Sequence, residues 1–233
     1  TARDLIERAN NPEQRFFPLT AAGLSGIVND RVFSQELLFT LYNVSRRQQV
    51  YNTYFSSGLP IAKIFGMTGN TSSGRASFMF DDENDYRFKM LVPRVIDATE
   101  LTVSMKYEEA TLDAASITGM YRNLIPLARL SEAYLIAAEC EENVQDALDK
   151  YINPLRLARN SRNLTASTPA ELTSLLFAEY TREFIGEGQL FFYFKRRALL
   201  SIPNGTRPNT MQTKTIAIYA FPVPDSETYP RAE

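Results

Sequence analysis

Pro126-Leu127-Ala128-Arg129-Leu130-Ser131-Glu132-Ala133-Tyr134-Leu135-Ile136-Ala137-Ala138-Glu139 is the stretch on which the fold turns. Leu127, Leu130, Tyr134, Ala137, Ala138 and Glu141 recur at 3.6-residue spacing, which predicts a helix with one apolar stripe. Pro126 suits its first turn, where a missing amide costs nothing. After a short break near Asn143, a second stripe follows in Ala147, Leu148, Tyr151, Ile152, Leu155 and Ala158. Pro154 lies inside it and should bend or restart the helix, because proline has no amide to donate. Two amphipathic helices joined by so short a connection pack as an antiparallel pair. The expectation is therefore a hairpin over residues 126–162 with Leu130 and Leu148 inside.

Downstream, Thr168-Pro169-Ala170-Glu171 reads as a capping box with proline at the first helical position. The helix it opens carries Leu172, Leu175 and Leu176 on its buried face and should run to about Gly186. Gly188 then turns the chain into an aromatic helix, Leu190-Phe191-Phe192-Tyr193-Phe194, ending in Lys195-Arg196-Arg197. Four consecutive rings circle a helix, which argues for burial between neighbouring elements. Ile216, Ile218 and Ala220 alternate like a short strand before the tail Phe221-Pro222-Val223-Pro224.

Upstream, the pattern is loop-rich with strand-like stretches. Leu37, Phe39 and Leu41 share one face at a period of two, predicting a half-buried strand. Tyr86, Phe88, Met90 and Val92 alternate until Pro93, and residues 101–107 alternate without a break, so these two runs are expected to pair across a long connection. From Ser56 to Gly74, small and polar residues dominate, which reads as an exposed loop.

The chain has 233 residues and no linker that divides it, so a single domain is expected. It is 44% apolar and 22% charged, which separates it from disordered sequences and allows a core without staples. Its 25 basic and 27 acidic residues give a net charge of −2, with no basic field to attract nucleic acid. No apolar run is long enough to span a bilayer. Histidine is absent, which excludes His-based triads, Cys-His nucleophiles and HExxH zinc sites. Carboxylate chemistry and simple binding survive that exclusion. Cys140 is the only cysteine, so no intrachain disulfide is possible, and its acidic neighbours Glu139 and Glu141 disfavour a thiolate. Thr1-Ala2-Arg3-Asp4-Leu5-Ile6 reads like the tail of a helix already under way, and any targeting signal is expected upstream of it.

Four local patterns bear on chemistry. Residues 69–76, Gly-Asn-Thr-Ser-Ser-Gly-Arg-Ala, nearly form a phosphate loop, but Arg75 and Ala76 replace its lysine and hydroxyl residue and Ser77-Phe78-Met79-Phe80 looks extended. Asp81-Asp82-Glu83-Asn84-Asp85 lacks the glycine and distal glutamate of a calcium loop and reads as a solvated acidic turn. Glu183 and Glu187 invite comparison with glycosidase carboxylates, but they border an apolar segment, and ion pairing at a helix end explains them better. Tyr51, Tyr54 and Phe55 stand among Gln48, Gln49, Asn52 and Ser56. Rings mixed with amides suit a sugar site, with core packing as the competing reading.

The helical half resembles the SusD/RagB family of outer-membrane nutrient-binding lipoproteins of Bacteroidetes. Residues 126–139 resemble its P-x-x-R-hydrophobic-x-E-x-Y-L-I-x-A-E helix, and Tyr151-Ile152-Asn153-Pro154-Leu155-Arg156 its hydrophobic-N-x-hydrophobic-R helix. Arg182-Glu183-Phe184-Ile185-Gly186-Glu187-Gly188 matches its R-E-F-x-x-E-G signature, with Phe192 and Arg196 following, and Phe221-Pro222-Val223-Pro224 with Glu227 matches its P-hydrophobic-P-x-x-E ending. Glu36-Leu37-Leu38-Phe39 and Asp85-Tyr86-Arg87 resemble weaker landmarks. Tyr193 departs from the usual Asp and Pro154 is unusual in its helix.

The resemblance implies a mainly α fold of tetratricopeptide-like helical hairpins, an α-α superhelix, with a loop-rich part containing a few short strands. Residues 1–233 would form the C-terminal portion of a longer protein, with 1–123 the loop-rich ligand-binding part and 124–233 the helical scaffold. It implies a cell-surface protein that captures a glycan or other nutrient without cleaving it and passes it to a SusC-like TonB-dependent transporter. Its link to the membrane would be a lipid anchor upstream of this chain. No cofactor or metal is implied. Ligand contacts in the family come from variable loops, so Tyr51, Tyr54, Phe55, Arg75 and Phe78 are the expected ligand-binding residues. A tetratricopeptide-like module binding only protein is the alternative, and a two-carboxylate glycoside hydrolase a remote one.

Overall fold

The computed structural model describes residues 1–13, 16–20, 30–56, 58–69, 74–108, 123–204 and 210–221. Helices α4 (Leu130–Glu139), α5 (Val144–Ala147), α6 (Asn153–Ala158) and α7 (Pro169–Glu183) carry the main core, packed with the first helix α1 (Ala2–Asn10). Leu130, Leu148, Ile152, Leu155, Leu172 and Leu176 are all buried there, so both expected stripes face inward. The short link 140–143 reverses the chain between α4 and α5, and the Asn143 side chain accepts the Asp146 amide to start the second arm.

Pro154 does restart its helix. Leu148–Ile152 widens into a π-helical turn just before it, and α6 resumes with the proline in its first turn. The absent Pro154 amide leaves the carbonyl one turn back without its α-helical donor, and the ladder shifts to accommodate that. The Thr168/Glu171 capping box forms at the start of α7 as expected. Thr1 and Asp4 form another at the start of α1.

Several expectations change where a partner or a cap outweighs local pattern. Leu124–Arg129 is a strand, β5, not the first turn of α4, because it pairs antiparallel with β1 (Leu37–Tyr42) at Leu41↔Ile125 and Tyr42↔Leu124. Register shifts on both sides of Phe39 break the alternation of β1, and Phe39 and Leu41 face solvent while Leu37 is buried. Tyr86–Lys89 is a helical turn, α3, because the Asp85 side chain caps it by accepting the Arg87 amide at 2.8 Å. The strand expected there starts later as β3 (Leu91–Ile96) and runs through Pro93, which is tolerated because β3 is the edge of a sheet ordered β2-β4-β3. Its hairpin with β4 (Thr99–Ser104) turns on Asp97 and Ala98 alone, both at positive φ, and needs no long connection.

The third strand of that sheet, β2 (Gly66–Thr68), lies inside the stretch expected to be loop. Arg75–Met79 is a helix, α2, and not extended. Ile216–Tyr219 forms a 3₁₀ turn and not a strand, and its apolar alternation meets no partner strand among the described residues. In α8 (Gln189–Arg196) Tyr193 is buried and stacks on Tyr180 at 4.0 Å between centroids, but Phe192 is exposed, so one of the four rings escapes the expected burial. The short strands β6 (Ser201–Pro203) and β7 (Met211–Thr213) close the described part. The tail motif from Pro222 onward and residues 70–73 of the glycine-rich stretch lie outside the described residues.

Candidate functional site

One face of α7 presents Glu179 and Glu183 a helical turn apart, with Arg182 beside them. All three are buried, and a buried carboxylate is sustained only by cations that reach it. Glu183 Oε1 accepts from Arg129 Nη1 at 2.6 Å and Arg159 Nη2 at 2.7 Å, and Oε2 accepts from Arg87 Nη1 at 2.9 Å. Arg159 reaches past it to hold both oxygens of Glu36 at 2.7 Å each, and its guanidinium lies 3.9 Å from the Phe33 ring centre. Arg129 grips both oxygens of Glu187, at 2.9 and 3.1 Å, and Lys106 pairs with the same carboxylate. Glu179 is held by Arg156, Arg182 and Arg87, and Asp81 bridges Arg156 and Arg182. Asp85 closes the far end on Arg87, at 2.6 and 3.0 Å.

Arg87, Lys106, Arg129, Arg156, Arg159 and Arg182 thus balance Glu36, Asp81, Asp85, Glu179, Glu183 and Glu187 in a single connected network, six charges against six. It joins the loop-rich half, through Glu36, Asp81, Asp85, Arg87 and Lys106, to the helices. Burial would raise the Glu183 carboxyl, but Arg159, Arg129 and Arg87 outweigh burial and hold it well below the usual carboxylate range. Burial is likewise overridden at Glu179, where Arg87, Arg182 and Arg156 bring the carboxyl down to about 2. A glycosidase acid needs the opposite, a carboxyl held protonated near neutral pH. Glu183 and Glu187 are therefore ion-pairing residues at the end of α7, as their sequence context suggests. The stretch 81–85 is not a solvated acidic turn, because Asp85 is fully buried and Asp81 serves two arginines. Among the described residues, no group of three or more His, Cys, Asp or Glu is placed to hold a metal ion.

Four of the five residues singled out for ligand binding line two separate clefts, and Tyr51 lines neither. Tyr54 and Phe55 line one of about 490 Å³, together with Phe65, Ile125, Leu190 and Phe191. Tyr54 is 53% exposed, whereas Phe55 is buried, its ring against Tyr107 and 3.3 Å from where a Cβ on Gly186 would stand. Tyr51 is half-buried beside that cleft, with its hydroxyl 3.4 Å from Glu108 Oε1. Arg75 and Phe78 line a second cleft of about 300 Å³ with Met79, Phe177, Thr181, Arg182 and Met211. Phe78 is 58% exposed and Arg75 half-buried, one helical turn apart on α2. Gly69 and Gly74, the glycines of the abortive phosphate loop, lie so close that a Cβ on Gly69 would sit 2.6 Å from the Gly74 Cα. Close backbone approach, with Gly69 at φ +81°, is what those glycines allow.

Sequence reasoning did not foresee the network itself. Its signal was present in the charged residues of the landmark motifs, since Glu36, Asp85, Arg87, Arg129, Arg156, Arg182, Glu183 and Glu187 all converge there. Arg159, Glu179 and Lys106 carried no motif signal. Arg196 and Glu139, also landmark positions, meet as a separate bidentate pair at 2.9 and 2.7 Å.

Residues 105–231 match the model of the SusD family. No curated protein matches the chain. Among solved structures, the chain is similar to a SusD-like carbohydrate binding protein from Bacteroides vulgatus, with 17% identity and a TM-score of 0.57 over 83% of this chain and 47% of that one. It is also similar to a SusD superfamily protein from the same species, with 19% identity and a TM-score of 0.58 over 92% of this chain and 48% of that one. The chain therefore spans about half the length of these structures, whose likeness covers the loop-rich half as well as the helices.

Proposed function

We propose, on the premise that this chain belongs to the SusD family, that it takes part in capturing a carbohydrate at a bacterial cell surface. The ligand is bound unaltered and handed to a SusC-like TonB-dependent transporter. Family membership is the observation that carries this reading. The tetratricopeptide-like superhelix and a lipid anchor upstream of this chain belong to the same proposal. The packing of α1 on α4, and of α4 on the arm that includes α5 and α6, supports the former. No described helix is long and apolar enough to cross a membrane.

The chemistry of the interior supports binding over bond cleavage. Of the carboxylates nearest to a glycosidase pair, Glu183 is held well below the usual range by its arginines and is too acidic to protonate a leaving group at neutral pH, and Glu187 is committed to Arg129 and Lys106. A sugar is held instead by flat apolar faces against its C–H surfaces and polar groups toward its hydroxyls. Phe78 and Tyr54 offer accessible rings, and Phe78 stands beside Arg75 and Thr181, so the Arg75–Phe78 cleft is the proposed carbohydrate contact. Tyr54 flanks a cleft walled almost wholly by apolar residues, where hydroxyls find few partners, and Phe55 forms its wall.

The test is calorimetry of wild type, Phe78→Ala and Tyr54→Ala against a glycan panel, with chromatography of the sugar afterwards. Phe78→Ala should weaken binding about 5–30-fold, by the usual 1–2 kcal/mol or so for an aromatic contact, at unchanged melting temperature. Recovery of shortened sugar would overturn binding without cleavage. Loss of binding in Tyr54→Ala alone would move the site to the other cleft.

A further inference from the structure

Arg75 stands apart from the other internal cations of this molecule. Arg87, Arg129, Arg156, Arg159 and Arg182 each reach a carboxylate, and their network is balanced, so it has no negative charge to spare. Arg75 is half-buried at the mouth of the smaller cleft and has no carboxylate partner among the described residues. Among the described residues no Asp or Glu lines that cleft, and Arg182, its other cation, is committed to Glu179 and Asp81. Burial lowers the affinity of the Arg75 guanidinium for its proton, and no neighbouring acid offsets that cost. Even so, an arginine stays charged at any ordinary pH. A partly desolvated charge with no carboxylate partner among the described residues carries a cost that a bound anion would relieve.

From this geometry, and resting on the carbohydrate reading above, we infer that the Arg75–Phe78 cleft selects an acidic sugar, one bearing a carboxylate or a sulfate. Phe78, one turn along the same helix, presents its ring on the same side as Arg75. The planar guanidinium fork matches the two oxygens of a sugar acid, and the ring supports the adjoining C–H face. Thr181 adds a hydroxyl at the edge, and Phe177 and Met211 close the walls. A volume of about 300 Å³ lies at the small end of ligand sites, suited to a terminal sugar unit more than to a long polymer. The overall charge of the chain is −2, so any preference for an acid must come from this local cation.

The experiment is calorimetry at low salt with two matched pairs of ligands. One pair is a galacturonate trisaccharide and its carboxyl-reduced form, and the other a sulfated galactose oligomer and its desulfated form. Wild type should bind at least one acidic member tenfold or more tighter than its neutral twin, with the preference shrinking as salt is added. The pair that shows it identifies the anion. Arg75→Gln should abolish the preference at unchanged melting temperature, and Arg75→Lys should retain part of it, because it keeps the charge and loses the fork. Equal binding of acidic and neutral twins, still weakened by Phe78→Ala, would overturn the acidic-sugar inference and leave carbohydrate binding standing. A preference that survives Arg75→Gln would overturn the assignment to this cleft. No binding of any sugar would overturn both readings together.

Discussion

Replacing Glu183 by Gln tests whether the buried network holds the two halves of the chain together. The side chain keeps its shape, and the core around Phe184 and Leu176 is untouched. What changes is that six buried cations face five carboxylates. Glu183 accepts from Arg87, Arg129 and Arg159 through both oxygens. Glutamine offers one oxygen, and its amide nitrogen must point N–H groups at guanidinium N–H groups. Removing one partner of a buried pair strands the other, at a cost of about 3–5 kcal/mol. For a chain of this length, that corresponds to a fall in Tm of about 6–20 °C. Urea titration followed by circular dichroism gives the free energy, and differential scanning calorimetry gives the Tm. Glu171→Ala is the control, since it loses only the glutamate half of an exposed capping box. A Glu183→Gln protein destabilised no more than this control would refute the idea that the network is a structural keystone.

Other outcomes follow from the same geometry. Stability should be level down to about pH 4.5 and fall as pH drops toward 2. The Glu179 carboxyl is depressed to about 2 in the fold, so its contribution, about 3 kcal/mol, is fully present above its unfolded value and lost through the folded one. Urea midpoints across pH 2–7 check this, and a midpoint flat to pH 2 would contradict it. Gly186→Ala should cost about 1–2 kcal/mol, because Gly186 sits at φ +75° and the new methyl would press on the Phe55 ring at 3.3 Å. Thermal denaturation of that variant reads it directly. Leu130→Ala should cost about 2–5 kcal/mol as a cavity between α1, α4 and α7, read by the same urea titration.

The helical half was legible because its local signals agree with its packing. Stripes at 3.6 residues, the Thr168 box and the Pro154 restart are properties of one segment, and each segment buries the face its pattern marks. Errors gather where an element depends on something distant. Residues 126–129 read as the first turn of a helix until β1, more than 80 positions upstream, offers a ladder to pair with. Tyr86–Val92 alternates like a strand, yet one side chain, Asp85, caps the first four residues into a helical turn. Ile216–Ala220 alternates as well but has no strand to join among the described residues. A period of two becomes a strand only where a partner is within reach, and a sequence does not announce its partners.

The site divides along the same line, and the division concerns function. The motif residues around Glu183 were visible through the resemblance to a family, and in the fold they stand in a network of twelve charges. Their visibility therefore reports the scaffold and says nothing of a ligand. Arg159, Glu179 and Lys106 complete that scaffold without standing in any motif, because an arginine or glutamate on a helix looks like a solvated one until the fold surrounds it. Ligand contacts obey the opposite logic. Tyr51, Tyr54 and Phe55 are neighbours in sequence, but a single helical segment turns Tyr54 outward and Phe55 into the core. Arg75 and Phe78 come from a stretch read as an abortive phosphate loop running into an extended segment, and their relation appears only once α2 is seen to place them on one side, above a cleft whose described lining holds no acid. Composition could show that amides and rings were available. Only the fold decides which ring meets solvent and which cation has no carboxylate partner among the described residues.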